Sequence, residues 1–223
     1  LDLDLDFFLP PAWRVKSPPF WDFLAFFGLD PDFVDYQQAW DYQRKVHNLV
    51  SSGKQEDTVL LLEHQSVYTA GKRTEAEERP VDGTPVIDVD RGGKITWHGP
   101  GQLVGYPIMK LPDPIDVVGY VRRLEQVLID SIAEFGLHTE RVAGRSGVWA
   151  PLAGGHVKVA AIGIRVAEQT TMHGFALNCN NSLAAYETII ACGIKDAKTS
   201  TISELLQKEV TPVMAIEAIK RNL

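Results

Sequence analysis

Polar and apolar residues divide most of this chain into segments of two periods. Tyr36, Ala39, Trp40, Gln43, Val46, His47 and Val50 recur at helical spacing, and Asp35 stands where a carboxylate caps a first turn. The pattern predicts an amphipathic helix over residues 36–51, with His47 as a satisfied packing residue on its apolar stripe. Val117, Val121, Leu124, Leu128, Ile132 and Phe135 predict a longer helix that Gly136 is suited to end. Ser200 to Leu206 reads as a short helix, and Thr211 with Pro212 caps and opens a last one. Between them lie short apolar runs of strand type: Thr58 to Glu63, Ser66 to Thr69, Pro85 to Val89, Ile95 to Trp97, Leu103 to Ile108 and Gly147 to Ala150. His156 to Val166 reads as one long strand, with Thr171 to Cys179 as its antiparallel partner and Asn178 to Ser182 as a polar loop. Gly71-Lys72-Arg73 opens a charged stretch, expected to be mobile, that runs to Arg79. Mixed strands with a few long helices and no regular βαβ alternation predict an α/β fold, or α+β with mixed sheets.

Composition narrows the class. The 223 residues suffice for one large domain, and the apolar and charged fractions are those of an ordinary soluble globule. A net charge of −7 argues against a nucleic-acid partner, although it leaves room for a local basic face. Two cysteines are too few for a disulfide framework, and no Cys or His set has metal-ligand spacing. No stretch is apolar for long enough to span a membrane, so a cytoplasmic protein is the expectation. Residues 1–33 differ from the rest. Seven of the nine phenylalanines fall there, with five prolines, after a Leu-Asp-Leu-Asp-Leu-Asp start. The segment reads as an atypical N-terminal extension, disordered or artefactual, in preference to a docking or membrane-surface element.

One stretch carries most of the candidate chemistry. Residues 91–108 hold five glycines and two prolines around two short strands, with Arg91 and His98 at the ends of the first. Glycine lets a backbone turn sharply and approach a ligand closely, so the segment reads as a pocket wall as well as a hairpin. A cysteine acts as a nucleophile only as thiolate, which needs a nearby cation or base. Cys192 follows an apolar run and precedes a glycine, whereas Cys179 lies between two asparagines that cannot ionise it. Lys158, His98 and His173 are the candidate activators, and sequence pattern does not choose among them. By composition alone, Lys158 would be solvated on an outer strand face.

Arg91-Gly-Gly-Lys-Ile-Thr-Trp-His-Gly-Pro-Gly-Gln-Leu-Val-Gly-Tyr-Pro107 resembles the signature of the octanoyltransferase family, the lipoate–protein ligase B type. Leu61-Leu62-Glu63-His64 with Val67 to Gly71, Gly147-Val148-Trp149, Lys158 to Gly163, His173 to Asn178 and Ala191 to Ile194 resemble its other segments. The resemblance spans roughly residues 34 to 210. It departs at Ala191, where the family usually has proline.

The resemblance implies a biotin/lipoate protein ligase-like single catalytic domain over residues 34–223. It implies an acyltransferase that takes octanoate from octanoyl-acyl carrier protein onto a cysteine. The acyl group then passes to a lysine of lipoyl domains in 2-oxoacid dehydrogenase complexes and the glycine cleavage H protein, the first step of endogenous lipoate synthesis. By position, Cys192 matches the acyl-accepting cysteine and Lys158 the lysine that lowers its pKa. Arg91, Gly92, Gly93, Lys94, Ile95, Thr96, Trp97, His98, Ala161, Ile162, Gly163, Gly174, Phe175 and Ala176 match the substrate-binding segments. Backbone N–H groups around Gly92, Gly93 and Gly163 are candidates for holding the oxyanion. Ile95, Trp97, Val159 and Ala161 are expected to line the acyl slot. His98 is expected to orient substrate or donate a structural hydrogen bond, and not to act as the base. A basic rim from Lys72, Arg73, Arg91, Lys94, Arg145 and Arg165 would meet acidic partners. No metal and no ATP is expected, and the protein is expected to be a monomer. The rivals are an ATP-dependent lipoate or biotin ligase, a non-catalytic acyl- or carrier-binding module, and a Cys/His hydrolase.

Overall fold

The computed structural model describes residues 24–26, 33–80, 84–189 and 198–223. Helix α1 (Tyr36–Ser51) begins where its cap predicts: the Asp35 carboxylate accepts from the Gln38 N–H at 3.0 Å. Helix α2 (Val117–Ala133) starts the same way, with Asp116 accepting from Gly119 N–H at 2.7 Å. The helices α3 (Ile202–Leu206) and α4 (Pro212–Asn222) are capped by Thr201 and Thr211.

The strands, in chain order, are β1 (Leu24–Phe26), β2 (Thr58–Leu62), β3 (Val67–Ala70), β4 (Val86–Asp88), β5 (Thr96–His98), β6 (Gln102–Ile108), β7 (Glu140–Val142), β8 (Arg145–Leu152), β9 (Gly155–Ala167), β10 (Thr170–Asn178) and β11 (Lys198–Thr199). Among the described residues the large sheet runs β1-β2-β6-β10-β9-β8-β7, with β11 alongside β9, and a small sheet runs β4-β3-β5. Leu24–Phe26 pairs in parallel with β2 and so adds a strand from within the atypical N-terminal segment.

Alternation along the central strands makes three layers. Leu60, Leu62, Val104, Tyr106 and Ala176 share one cluster with Ala39, Val46 and Val50 of α1. Their neighbours Leu61, Leu103, Phe175 and Leu177 point the other way, onto Leu124, Leu128 and Ile132 of α2 and Ile216 and Ile219 of α4. Leu60, Leu61 and Leu62 are fully buried, and each such side chain contributes about 1.5–3 kcal/mol through transfer from water. His47 donates from its α1 stripe to the carbonyls of Ala167 and Thr170, at 3.1 and 3.3 Å, as expected of a packing residue.

Two local features position the site. Strand β8 accompanies β9 only as far as Ala160. Beyond it, the glycine-rich loop docks on that strand, with Gly92 N–H donating to Ile164 O at 2.9 Å. Within β10, His173 holds a left-handed φ of 57° while its register with β9 stays unbroken. The expected mobile stretch after Gly71 is instead tied down: Lys72 and Arg73 donate their N–H groups to Arg91 O and Gly93 O, both at 3.1 Å. Residues Ala76–Glu78 form a 3-10 turn closed by reciprocal Glu75 and Glu78 hydrogen bonds.

Candidate active site

A cavity of about 250 Å³ opens between the glycine-rich loop, β5, and the facing parts of β9 and β10. Arg91, Gly93, Lys94, Thr96, His98, Ala161, Ile162, Gly163, Gly174, Phe175 and Ala176 of the expected substrate segments line it, together with Lys158 and His173. Gly92, Ile95 and Trp97 do not. Period two explains the split on β5: Thr96 and His98 face the cavity, while Ile95 and Trp97 pack the other way onto Tyr68 and Ile189. Val159 is also diverted, into the main core, so of the four residues expected to form an acyl slot only Ala161 does so. Val104, Ile162, Phe175 and Ala176 supply the remaining apolar wall. Of the three glycines expected to offer N–H groups, Gly92 is engaged by Ile164 and Gly163 stands opposite Gly174 in the β9–β10 register, while Gly93 lines the cavity.

Arg91 is a structural bracket. It is buried and donates to Gly92 O and Lys94 O at 3.0 and 2.8 Å, and to Thr69 O and Oγ1 at 2.8 Å each. It thereby joins β3 to the loop that walls the cavity. Gly71 lies against it so closely that a Cβ there would meet Gly93 O at 2.6 Å and Arg91 Nη1 at 2.7 Å. Of the expected basic rim, then, Arg91 faces inward, Lys94 is paired with Glu75 and Glu78, and Arg165 is paired with Asp90. Arg73 and Arg145 line the cavity mouth.

Two histidines, His98 and His173, line the cavity, with His64 close by; burial lowers the pKa of all three, and their partners set their tautomers. His98 Nδ1–H donates to Gln102 Oε1 at 2.8 Å, and Gln102 is itself oriented by donating to Asn178 Oδ1 and Tyr186 Oη. The remaining His98 nitrogen faces the Thr69 hydroxyl at 3.4 Å. Burial pushes its pKa down to about 3, which leaves it a structural hydrogen-bonding group and no source of positive charge for a thiolate. His64 donates from Nδ1 to Val34 O at 2.9 Å and accepts the Tyr106 hydroxyl at 2.6 Å, and burial lowers it to about 4. His173 donates from Nε2 to Asp90 at 2.7 Å. Burial lowers its pKa, while this bond and the neighbouring Arg165 hold Asp90 down to about 2. The His173 backbone N–H donates to Gln43 Oε1 at 3.1 Å. Tyr36, Gln43 and Asp90 lie outside every motif, and Tyr106 has no role assigned within its own; only the fold brings them together here.

A pH dependence follows. His64 and His98 bind protons readily in the unfolded chain below about 6.5 but not in the fold, so their stabilising contribution is complete above that value and lost as pH falls. Urea denaturation is expected to give a stability about 2–4 kcal/mol lower at pH 5 than at pH 7. Equal values at the two pH values would show that the rings are not held neutral.

Lys158 is 6% exposed, and its Nζ lies 4.6 Å from the centroid of the buried Trp149 ring. Among the described residues no carboxylate is within ion-pair distance of it. This is the opposite of the solvated face that composition suggests. Its strand is fixed on both sides: Lys158 pairs with Trp149 of β8 and with Thr199 of β11, and Ser200 N–H donates to its carbonyl at 3.0 Å. Cys192 lies outside the described residues. The chain leading to it ends at Ile189 against Ile95, and the chain leaving it starts at Lys198 beside Val157. Cys179 is fully buried in the main core, and burial pushes its thiol up to about 12. Among the described residues no group of three His, Cys, Asp or Glu side chains is placed to hold a metal ion, and no helix is long and apolar enough to cross a membrane.

The family described as the lipoyl protein ligase A/B catalytic domain matches residues 35–223. An octanoyltransferase of Leifsonia xyli subsp. xyli is 64% identical over 187 residues, covering 83% of this chain and 84% of that protein. One of Salinispora arenicola is 60% identical over 192 residues, 85% of this chain and 90% of that protein. Among solved structures, a bi-partite lipoate protein ligase from Thermoplasma acidophilum shares the fold, with a TM-score of 0.71 at 14% identity over 90% of this chain and 81% of that one. The glycine-rich wall, the buried lysine and these likenesses agree, and the chain belongs to the lipoyl protein ligase A/B catalytic-domain family, among relatives that are octanoyltransferases.

Proposed function

We propose that this chain is an octanoyltransferase that moves an octanoyl group from the thioester of an acyl carrier protein to a lysine of a lipoyl domain, through a thioester on Cys192. The observation that carries the reading is Lys158, a buried cation at the wall of an acyl-sized cavity with no carboxylate beside it among the described residues. Burying such a charge without a counterion is costly, and an anion formed during reaction is a reason to keep it. The thiolate of Cys192 is that anion. It attacks the carrier's thioester carbonyl; the new S–C bond forms as the old one breaks, and the departing carrier thiolate takes a proton from Lys158. The neutral lysine then accepts a proton from the acceptor amine as that amine attacks the acyl-enzyme, and Cys192 leaves as thiolate.

Thioester exchange is nearly isoenergetic and thioester-to-amide transfer runs downhill, so the scheme needs neither ATP nor a metal. One chain supplies both Cys192 and Lys158, consistent with a monomer. The proposed acceptors are lipoyl domains of 2-oxoacid dehydrogenase complexes and the H protein, and the proposed location is the cytoplasm. Intact-protein mass after mixing the enzyme with octanoyl-acyl carrier protein, without nucleotide or added metal, tests this. One octanoyl unit that hydroxylamine removes is the expected gain. An enzyme that stays unmodified until ATP is added would be a ligase instead.

A further inference from the structure

Strand β9 loses its alternation at one point, and that point decides which residue faces the cavity. Its register with β8 pairs Val157 with Ala150 and Lys158 with Trp149, then steps to Ala160 with Val148, so Val159 is an extra residue unmatched on β8. The side chains follow the shift. Val157, Val159 and Ala160 all pack into the main core, although residues 159 and 160 are neighbours. Lys158 and, past the bulge, Ala161 line the cavity instead. Counted back from Ala161 by twos, a regular strand would turn Val159 to the cavity and Lys158 into the core. The extra residue exchanges them, which accounts both for the diversion of Val159 and for the lysine at the cavity wall.

A carboxylate in helix α2 holds β8 against this bulge. Gly147 has a φ of 107°, and a Cβ there would meet Ala160 O at 2.4 Å and lie 3.6 Å from Lys158 Cε, so glycine lets the two strands close over the lysine stem. The Gly147 N–H donates to Oε1 of Glu125 at 3.0 Å, and Glu125 is fully buried. The other oxygen, Oε2, faces Arg122 Nη1 at 2.7 Å and Arg141 Nε at 3.2 Å. Arg141 is fixed in turn by donating to Arg122 O and Gln126 Oε1, at 2.8 Å each. Two guanidinium groups thus orient the carboxylate and leave Oε1 for Gly147, a charge-assisted bond. A buried acid of this kind is a poor way to gain stability alone, since a well-packed apolar residue serves as well or better.

Resting on the proposed transfer reaction, we infer that Glu125 is a positioning residue for Lys158: it pins Gly147, Gly147 seats the bulge, and the bulge turns the ammonium to the cavity. Glu125→Gln tests this. The two guanidinium groups claim the one amide oxygen, which turns the NH2 group toward the Gly147 N–H and breaks that bond at nearly unchanged volume. Single-turnover transfer from the octanoyl-enzyme to a lipoyl domain is measured for wild type, Glu125→Gln, Lys158→Met and the double variant. Glu125→Gln is expected to slow transfer at saturating acceptor roughly 10- to 100-fold, with the half-saturating concentration little changed. In the Lys158→Met background the same change should cost less than about twofold, because the group it positions is gone. An equal factor in both backgrounds, or no loss in the wild-type background, would overturn the inference. If Glu125→Gln does not fold, Gly147→Ala goes through the same cycle with the same expectation. Its methyl group disturbs the bulge directly and leaves the cluster of Arg122, Glu125 and Arg141 in place. Lys158→Met at the wild-type rate would instead remove the lysine from the reaction. A wild-type enzyme that captures no octanoate would overturn the reaction itself.

Discussion

Cys192→Ser is expected to abolish the octanoyl adduct and transfer with it, a loss of at least about a thousandfold, while Cys179→Ser keeps both. A thiolate forms near neutral pH when a cation stands beside it; a serine alkoxide does not, and one buried ammonium cannot close that gap. Cys179 differs in surroundings and not in chemistry. It sits in the apolar core beneath β10, where burial pushes its thiol up to about 12. Replacing it with serine buries a hydroxyl there and should cost roughly 1–3 kcal/mol of stability, with the chemistry unaffected. Intact mass of the two variants after exposure to octanoyl-acyl carrier protein separates them. An adduct that persists in Cys192→Ser and vanishes in Cys179→Ser would reverse the assignment.

Lys158→Met is expected to be nearly inactive and yet more stable than wild type. Removing the group proposed to favour the thiolate and then accept the amine proton should lower the transfer rate about 10²- to 10⁴-fold. The folded protein, on the other hand, gives up a buried charge that no described carboxylate compensates, and methionine fills a similar volume. The cation–π contact with Trp149 offsets some of this. A net gain of about 1–2 kcal/mol corresponds to a rise in Tm of roughly 2–8 °C for a chain of this size. Calorimetry beside single-turnover transfer reads both quantities. A variant that is inactive and also less stable would mean that Lys158 holds the strand together, and the catalytic role would then lack its main support.

Local order was legible where the sequence itself causes it. Asp35 caps α1 because its side chain reaches its own helix, and the stripe from Tyr36 to Val50 is buried because spacing puts it on one face. What the pattern could not state is which face of a strand meets a ligand. Ile95-Thr96-Trp97-His98 alternates plainly, yet the apolar pair lies in a satellite core and the polar pair borders the cavity. Short polar strands such as Glu140–Val142 carry no alternation strong enough to be read. Lys158 looks like a surface residue because its neighbours do not reveal that β8 and β11 enclose it. The partners of the histidines are likewise distant in the chain: Val34 and Tyr106 for His64, Asp90 and Gln43 for His173. Family resemblance identified the segments, and the fold alone distributed their residues between wall, bracket and core.

The contact between Gly92 and Ile164 has a meaning apart from substrate. Beyond Ala160, β9 has no strand on its second side among the described residues, and a bare edge of that kind invites pairing with another molecule. The glycine-rich loop covers it through the Gly92 N–H. Its glycines therefore also shield that edge, and a variant that loosens the loop exposes an open strand at the same moment as it deforms the cavity.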